Sequence, residues 1–356
     1  MNAKTIIITG GGTGGHVTPG LAIAKILKYR GWKVVWLGNP NKIEGVLVPK
    51  NGFLLMPLNF HGLSKSIFKN VFNFPFFFFQ AFFQSFKTLL KIKPNIVLAM
   101  GGYIAFPGGI AAIFLGIPLV LHEQNAILGK VNRFLVKFSK CIFTAFPNVH
   151  PAARNFGNPI DLKISSIKEI DKRYDLRQDK ALNLLIIGGS QGSKALNSII
   201  PKSLALLKNN QFSKITHQTG FGNSINVQKQ YENLGIKAEC KDFIDDIFFE
   251  MKNADLLICR SGAMTVSEIT AIGIAALLIP YPESADNHQV ANAYFLSKSK
   301  AGWMHEQHQL TPEFLAQWLQ KRSREELKQV ALMARQKARE NSAIYIAKTC
   351  EQILKN

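Results

Sequence analysis

His16 closes a run of small residues, Gly10-Gly11-Gly12-Thr13-Gly14-Gly15, that directly follows the β-branched stretch Ile6-Ile7-Ile8. Imidazole titrates near neutrality and can take a proton from a hydroxyl nucleophile, which makes His16 a candidate general base. The turn before it has a use of its own. Glycines permit a tight strand-to-helix connection and leave N–H groups facing outward at the positive end of the next helix, where phosphate is favoured. The pattern recurs at Met100-Gly101-Gly102-Tyr103, after Ile96-Val97-Leu98, and at Gly188-Gly189-Ser190-Gln191-Gly192-Ser193, after Leu184-Leu185-Ile186-Ile187. Glu123, closing another apolar run, is a rival base.

Those turns need strands to carry them. The first half alternates strand-like stretches (Ile6–Thr9, Lys33–Leu37, Phe53–Leu58, Asn95–Met100, Pro118–His122, Cys141–Ala145) with helical ones. The first helix is expected to open near Thr18-Pro19, with Pro19 in its first turn. The second half restarts the pattern at Leu182–Ile187 and repeats it at Lys214–His217, Ala254–Cys259 and Ala275–Pro280. Alternation of this kind implies an α/β protein with two doubly wound parallel sheets and ligands at the carboxyl ends of the strands. Expected domains are 1–158, joined by a C-terminal helix over 341–356, and 159–340.

The chain has 356 residues, ample for two domains. Its 43 basic residues exceed the 23 acidic ones by 20, which implies a polyanionic partner or an anionic surface. No helix-turn-helix, zinc-finger or RNP pattern is present, so nucleic acid is not the expected partner. Gly10–His16 lacks the G-x-G-x-x-G register, and Leu37-Gly38-Asn39 stands where a dinucleotide-binding sheet would place an acid, against a dehydrogenase. Four scattered cysteines without C-x-x-C, and a strand starting soon after Met1, suggest free thiols and a cytoplasmic address. No metal cluster is apparent: His305, Glu306 and His308 lack ligand context, and Asp245-Asp246 need not converge.

Ile67–Lys91 is rich in phenylalanine but broken by Asn73, Pro75, Gln80 and Gln84, too early for a membrane span. Gln80, Gln84, Lys87 and Lys91 would form a solvent stripe, with Phe79, Phe82, Phe83, Phe86 and Leu90 facing a core. Phe72, Phe74, Phe76, Phe77 and Phe78, near Lys65 and Lys69, are left for contact with a membrane surface.

Taken together, Gly11-Gly12-Thr13-Gly14-Gly15-His16-Val17, Gly101-Gly102-Tyr103, His122-Glu123-Gln124-Asn125, Gly188–Gly192, Asp242-Phe243-Ile244-Asp245-Asp246, Arg260-Ser261-Gly262-Ala263 through Glu268, and Asp286-Asn287-His288-Gln289 resemble the MurG family of N-acetylglucosaminyltransferases. The resemblance spans nearly the whole chain. It implies a GT-B fold of two Rossmann-like domains facing a central cleft, a UDP-N-acetylglucosamine donor, the lipid I acceptor and inversion at the anomeric carbon. It also implies no essential metal and a peripheral position at the cytoplasmic face of the bacterial inner membrane, whose anionic surface would be a partner. Transfer of another UDP-sugar to a different glycolipid is the alternative.

The resemblance assigns roles residue by residue. His16 would take the proton of the acceptor's C4 hydroxyl. Thr13, Gly14, Gly15, Asn125, Ser190, Ile244, Ala263, Met264, Thr265, Val266, Ser267, Glu268 and Gln289 would bind the donor, with Phe243, Arg260 and His288 as further contacts. Among these, Ile244 would read uracil through its backbone, Glu268 would accept from the ribose hydroxyls, and the turn opening at Arg260 would hold the diphosphate. Gly14, Gly15, Gly101, Gly102 and Tyr103 would meet the acceptor's diphosphate. The chain departs from the family pattern after Gly157-Asn158-Pro159, where Ile160-Asp161 stands in place of an arginine and Lys163 is the nearest cation.

Overall fold

Strands buried on both faces read as unbroken aliphatic runs rather than as alternation, and Ile6, Ile7 and Ile8 are all fully buried. A computed structural model describes residues 3–60, 74–160, 170–177, 180–189, 191–207 and 211–355. The chain divides into two units, Met1–Asp161 with Glu340–Asn356, and Leu162–Arg339.

The first unit holds a parallel sheet of seven strands in the order β3-β2-β1-β4-β5-β6-β7. These are β1 (Thr5–Thr9), β2 (Lys33–Gly38), β3 (Leu54–Pro57), β4 (Ile96–Ala99), β5 (Leu119–Glu123), β6 (Cys141–Thr144) and β7 (Ala153–Asn155). Helices α1 (Gly14–Tyr29), α2 (Ile43–Lys50), α3 (Phe74–Ile92), α4 (Ala105–Phe114) and α5 (Lys130–Leu135) connect them. Ile6 and Ile8 pack with Val17, Leu21 and Trp36 on one face, and Ile7 packs with Val35, Val97 and Leu121 on the other. Helix α1 begins at Gly14, four residues before the expected start, so Pro19 lies inside it. The glycine turn is short enough for helical geometry to begin within it.

The second unit follows a short helix α6 (Ile170–Asp175) with a six-stranded parallel sheet, β10-β9-β8-β11-β12-β13. Its strands are β8 (Leu182–Ile187), β9 (Phe212–Gln218), β10 (Glu239–Lys241), β11 (Leu256–Cys259), β12 (Ala275–Leu278) and β13 (Trp303–Met304). Its helices are α7 (Lys194–Ala205), α8 (Ser224–Asn233), α9 (Ile247–Asn253), α10 (Ala263–Ile272), α11 (His288–Ser297), α12 (Pro312–Gln320) and α13 (Arg324–Arg335). The last helix, α14 (Ser342–Ile353), returns to the first unit. It buries Ala343, Ile346, Ala347 and Cys350 in that unit's core, and Glu351 forms a two-pronged ion pair with Arg30 at 2.7 Å.

Strand order reverses direction between β1 and β4 and again between β8 and β11. Neighbouring connections diverge at such a point and open a crevice at the carboxyl edge. The three glycine turns and the turn at Arg260 lie at those two places.

Helix α3 corrects the expected register of the phenylalanine segment. Its buried line is Ala81, Ser85, Thr88 and Leu89, whereas Phe79 and Phe83 are 56% and 57% exposed and Leu90 is half exposed. Ser85 can lie inward because its Oγ donates to the Ala81 carbonyl. Gln84 is not a solvent residue either: its Nε2 donates to the Pro57 carbonyl and its Oε1 accepts from the Asn59 amide. Phe78 is half buried against Phe106, while Phe76 and Phe77 are exposed. Phe74 opens the helix, and Phe72, Lys65, Lys69, Asp161, Lys163 and Ser190 lie outside the described residues.

Candidate functional site

Thr13 caps α1 in extended conformation without a side-chain bond, so the helix presents the amides of Gly14 and Gly15, which have no acceptor among the described residues. Beneath this turn lies a carboxylate that spacing alone does not suggest. Glu44, fully buried, accepts from the Gly12 amide at 3.0 Å and the Asn39 amide at 3.1 Å. A Cβ on Gly11 would stand 2.2 Å from its Oε1, so any side chain there would displace the carboxylate from these amides.

His16 follows on the first turn of α1 and is half buried. Its Nδ1 lies 3.0 Å from the Met100 carbonyl and 2.9 Å from Gln124 Oε1. Both are acceptors, so Nδ1 carries the proton and Nε2 keeps its lone pair. Gly101 and Gly102 take positive φ of 81° and 72°, and a Cβ on Gly102 would meet Nε2 at 3.3 Å and the Gly11 carbonyl at 2.9 Å. The second turn is therefore glycine because the imidazole and the first turn occupy the side-chain space. Tyr103 stands beside Gly12, and burial, aided by the Glu44 charge, holds its phenol above the usual range.

Glu123, the rival base, is directed inward. Its Oε1 accepts from the Asn125 amide and the Asn125 side chain, and its Oε2 accepts from the Gly129 amide and Asn132 Nδ2, all within 3.2 Å. Four donors leave it no lone pair free for a substrate, and its evident work is to fold the turn that carries Asn125.

In the second unit, α10 starts at Ala263 behind an extended Gly262 without a side-chain cap, and the Met264 and Thr265 amides have no acceptor among the described residues. Ser267 turns its hydroxyl back to the Ala263 carbonyl, and Val266 is wholly buried, so neither offers a side chain to a ligand in this state. Glu268 differs. No hydrogen bond or ion pair reaches it among the described residues, and burial pushes its carboxyl up to about 7.

Arg260 is directed away from the crevice. Both hydrogens of each Nη are committed: Nη1 to the Ile279 and Pro280 carbonyls, and Nη2 to Ser193 Oγ and Gln307 Oε1. It ties the turn after β8 to the end of β12, and burial lowers its basicity. Its effect on a nearby anion is that of a charge held behind the turn.

Ile244 is buried, and its amide donates to Gln218 Oε1 at 3.1 Å, while Gln218 Nε2 donates to the Gly189 carbonyl at 3.0 Å. Gln218, which no sequence motif marks, thus joins the glycine turn after β8 to the turn that carries Phe243, whose ring is exposed. Gln289 accepts from the Tyr281 amide through Oε1, and its carbonyl accepts from Ser261 Oγ. His288 is half buried with Nδ1 against the Ala285 carbonyl. Asp286 and Asn287 both adopt left-handed backbone, with φ of 51° and 54°. Asp246 caps α9 through the Phe249 amide, which separates it in purpose from Asp245. Among the described residues no group of three or more His, Cys, Asp or Glu could hold a metal ion.

Comparison with known proteins identifies the family of the chain. Residues 6–144 match the glycosyltransferase family 28 N-terminal domain, and residues 183–348 match its C-terminal domain. A Bordetella parapertussis protein named UDP-N-acetylglucosamine--N-acetylmuramyl-(pentapeptide) pyrophosphoryl-undecaprenol N-acetylglucosamine transferase is 47% identical over 99% of this chain and 98% of its own. A Cupriavidus metallidurans protein of the same name is 42% identical over 99% of both. The crystal structure of Acinetobacter baumannii MurG superposes with a TM-score of 0.85 at 35% identity, covering 98% of this chain and 99% of that one. The two parallel sheets with their helices are a GT-B fold, and the chain belongs to glycosyltransferase family 28 and, within it, to the MurG family.

Proposed function

We propose that this protein transfers N-acetylglucosamine from UDP-N-acetylglucosamine to the C4 hydroxyl of the muramyl sugar of lipid I, with inversion, giving lipid II for peptidoglycan synthesis. The environment of His16 carries the chemical reading. Nδ1–H is held by two acceptors, so Nε2 takes the C4 proton as that oxygen bonds to the anomeric carbon. The bond from the anomeric carbon to UDP breaks with its electrons on the diphosphate. The N-terminus of α10 and the Arg260 charge behind it stabilise that leaving group.

On the donor side, Glu268 accepts from the ribose hydroxyls, Ile244 and the exposed Phe243 ring bound the uracil, and the Gln289 NH2 and His288 meet the sugar diphosphate. The amides of Gly14, Gly15, Gly101 and Gly102, with Tyr103, hold the acceptor's diphosphate in the first unit, where Asn125 is a further candidate for binding sugar. The test is transfer of labelled N-acetylglucosamine to purified lipid I with product stereochemistry determined. His16→Ala should lower turnover about 10²–10⁴-fold with UDP affinity within twofold. Turnover within a few-fold of wild type would remove the base role.

The lipid acceptor must be met at a surface, and α3 supplies one. Phe76, Phe79, Phe83 and Leu90 are exposed along one side of the helix, with Lys87 on the same side. Ring contacts carry the aromatic surface from Phe83 through Phe82 to Phe114, and from Phe106 to the exposed Phe134 and Phe138. Lys91, Lys130, Arg133 and Lys137 are exposed on the same elements. Aromatic rings beside cations suit docking to an anionic leaflet, and among the described residues no helix is long and apolar enough to cross a membrane. Replacing Phe76, Phe79 and Phe83 with Ser should reduce co-sedimentation with anionic vesicles and turnover on lipid I, yet spare a short-chain acceptor. Equal loss on both acceptors would overturn docking at this face.

A further inference from the structure

The hydrogen bond between His16 and Gln124 is one link of a longer chain whose directions are all determined. Gln124 Nε2 lies 2.9 Å from His122 Nδ1 and 3.3 Å from the His122 carbonyl. A carbonyl only accepts, so the amide NH2 faces His122 and the amide oxygen must face His16. His122 is fully buried, and desolvation pushes its imidazole down to about 4, which keeps it neutral. Its Nδ1 receives the amide proton, so its own proton sits on Nε2, 3.3 Å from the Gly157 carbonyl. Asn158 Nδ2 donates to the Gln124 carbonyl at 3.1 Å and holds the backbone in place. Gln124 itself is buried.

We propose that Gln124 is the positioning residue of His16: a buried amide, fixed in direction by His122, that aims the imidazole and holds its neutral-state proton on Nδ1. This deepens the base assignment and rests on it. A general base is commonly oriented by a third group, and a carboxylate in that place would also raise the basicity of the imidazole. A neutral amide orients the ring without adding a charge. The acidic groups closest in the chain do not supply one: both oxygens of Glu123 are spent on residues 125–132, and both oxygens of Glu44 on the Gly12 and Asn39 amides. Among the described residues, His122 against Gln124 and the Tyr103 phenol beside Gly12 are the further titratable groups placed by these contacts, while α1 carries Lys25, Lys28 and Tyr29 and α5 carries Lys130 and Arg133. The Met100 carbonyl is the second acceptor, so losing Gln124 should loosen the ring rather than reverse its tautomer.

The test is a histidine 15N NMR titration of the full chain, with the His16 signal identified by its loss in His16→Ala. In the wild type, neutral His16 must carry its proton on Nδ1; the opposite tautomer overturns the proposal without any variant. In Gln124→Glu, a carboxylate replaces the amide oxygen, and the His16 pKa should rise by about one unit or more. The acid limb of kcat/KM should follow it. In Gln124→Leu, kcat should fall up to about tenfold, the worth of one net hydrogen bond, with acceptor KM and UDP affinity within twofold. An unmoved His16 titration in Gln124→Glu, or equal losses in kcat, KM and UDP affinity in Gln124→Leu, would make Gln124 merely structural. Those results leave the base role standing if His16→Ala is inactive. An active His16→Ala removes the base role but leaves the titration readable.

Discussion

Asp255 stands just before strand β11 and Glu268 in the second turn of helix α10 that follows it, so one strand–helix unit carries both carboxylates. Both are withdrawn from bulk water, Asp255 fully and Glu268 in part, yet their surroundings are opposite. Asp255 accepts from Arg324 Nη1 at 2.7 Å, the Asn183 amide at 2.8 Å and Arg177 Nη1 at 3.5 Å. Glu268 has no such partner among the described residues, and burial pushes its carboxyl up to about 7. Burial therefore does not separate the structural acid from the proposed ribose acceptor, whereas hydrogen-bond satisfaction does. The unsatisfied acid lies on the carboxyl-edge side, where an open α/β sheet takes its ligands. In the first unit the same criterion gives Glu44 and Glu123 full sets of structural donors and leaves His16 Nε2 open for its proposed role.

Breaking the paired acid should have the largest effect. Asp255→Asn leaves Arg324 and Arg177 close to a neutral group and takes an acceptor from Asn183, and loss of one partner of a buried ion pair costs about 3–5 kcal/mol. Urea denaturation followed by fluorescence should show that loss. UDP affinity of the folded fraction should stay within twofold. A variant as stable as wild type would mean the pair adds nothing over its desolvation.

Removing the unpaired acid should act on the ligand instead. Glu268→Ala takes away an acceptor for the ribose hydroxyls, and a hydrogen bond to a charged group is worth about 1.5–3 kcal/mol, or roughly ten- to hundredfold in UDP affinity. Calorimetric titration with UDP measures it, beside an unfolding curve that should not move to lower stability. Unchanged affinity would make Glu268 an ordinary helix residue and dissolve the contrast with Asp255.

Half of this contrast is legible in the amino-acid sequence. Aliphatic runs followed by glycine turns locate β1, β4 and β8, because fully buried parallel strands and left-handed turns each demand a narrow set of residues. Glu268 stands out by its place after a turn. Its lack of partners does not, because partners are set by tertiary contact. Gln124, Gln218 and Glu44 are hidden for a related reason: Gln218 and Glu44 each join backbone groups of segments apart in the chain, Gln124 joins His122 to the distant His16, and nothing local marks such a side chain as a bracket. Arg260 is readable as a cation at a phosphate turn, but its direction depends on the Ile279 and Pro280 carbonyls and on Gln307. The register of α3 escapes periodicity because phenylalanines occupy most sides of the helix, and Ala81 and Ser85 decide which side packs. Strands β7, β10 and β13 have only two or three residues each, too short to leave a pattern.

The smallest effect is the most specific to the unpaired acid, because it depends on pH. Folding raises the Glu268 carboxyl from an ordinary 4.5 to about 7, so between those values the folded chain binds more protons than the unfolded one. The sign follows from linkage: stability is fully present below 4.5, falls as pH rises towards 7, and levels off above it. Glu268→Gln has no proton to lose. Its Tm should match wild type near pH 4.5 and exceed it by a growing margin up to pH 7. UDP should act in the opposite sense. Ribose hydroxyls donating to the carboxyl favour its charged form and draw its pKa down, so binding at a pH of about 6 should release a proton that the Gln variant does not release. Calorimetry in buffers of different ionisation enthalpy measures that proton. The terminal phosphate of UDP titrates in the same range, so the quantity to compare is the difference between the two proteins. A Tm difference that is flat across this range would show that the carboxyl is solvated in the folded chain. The opposition between Asp255 and Glu268 would then rest on hydrogen-bond partners alone.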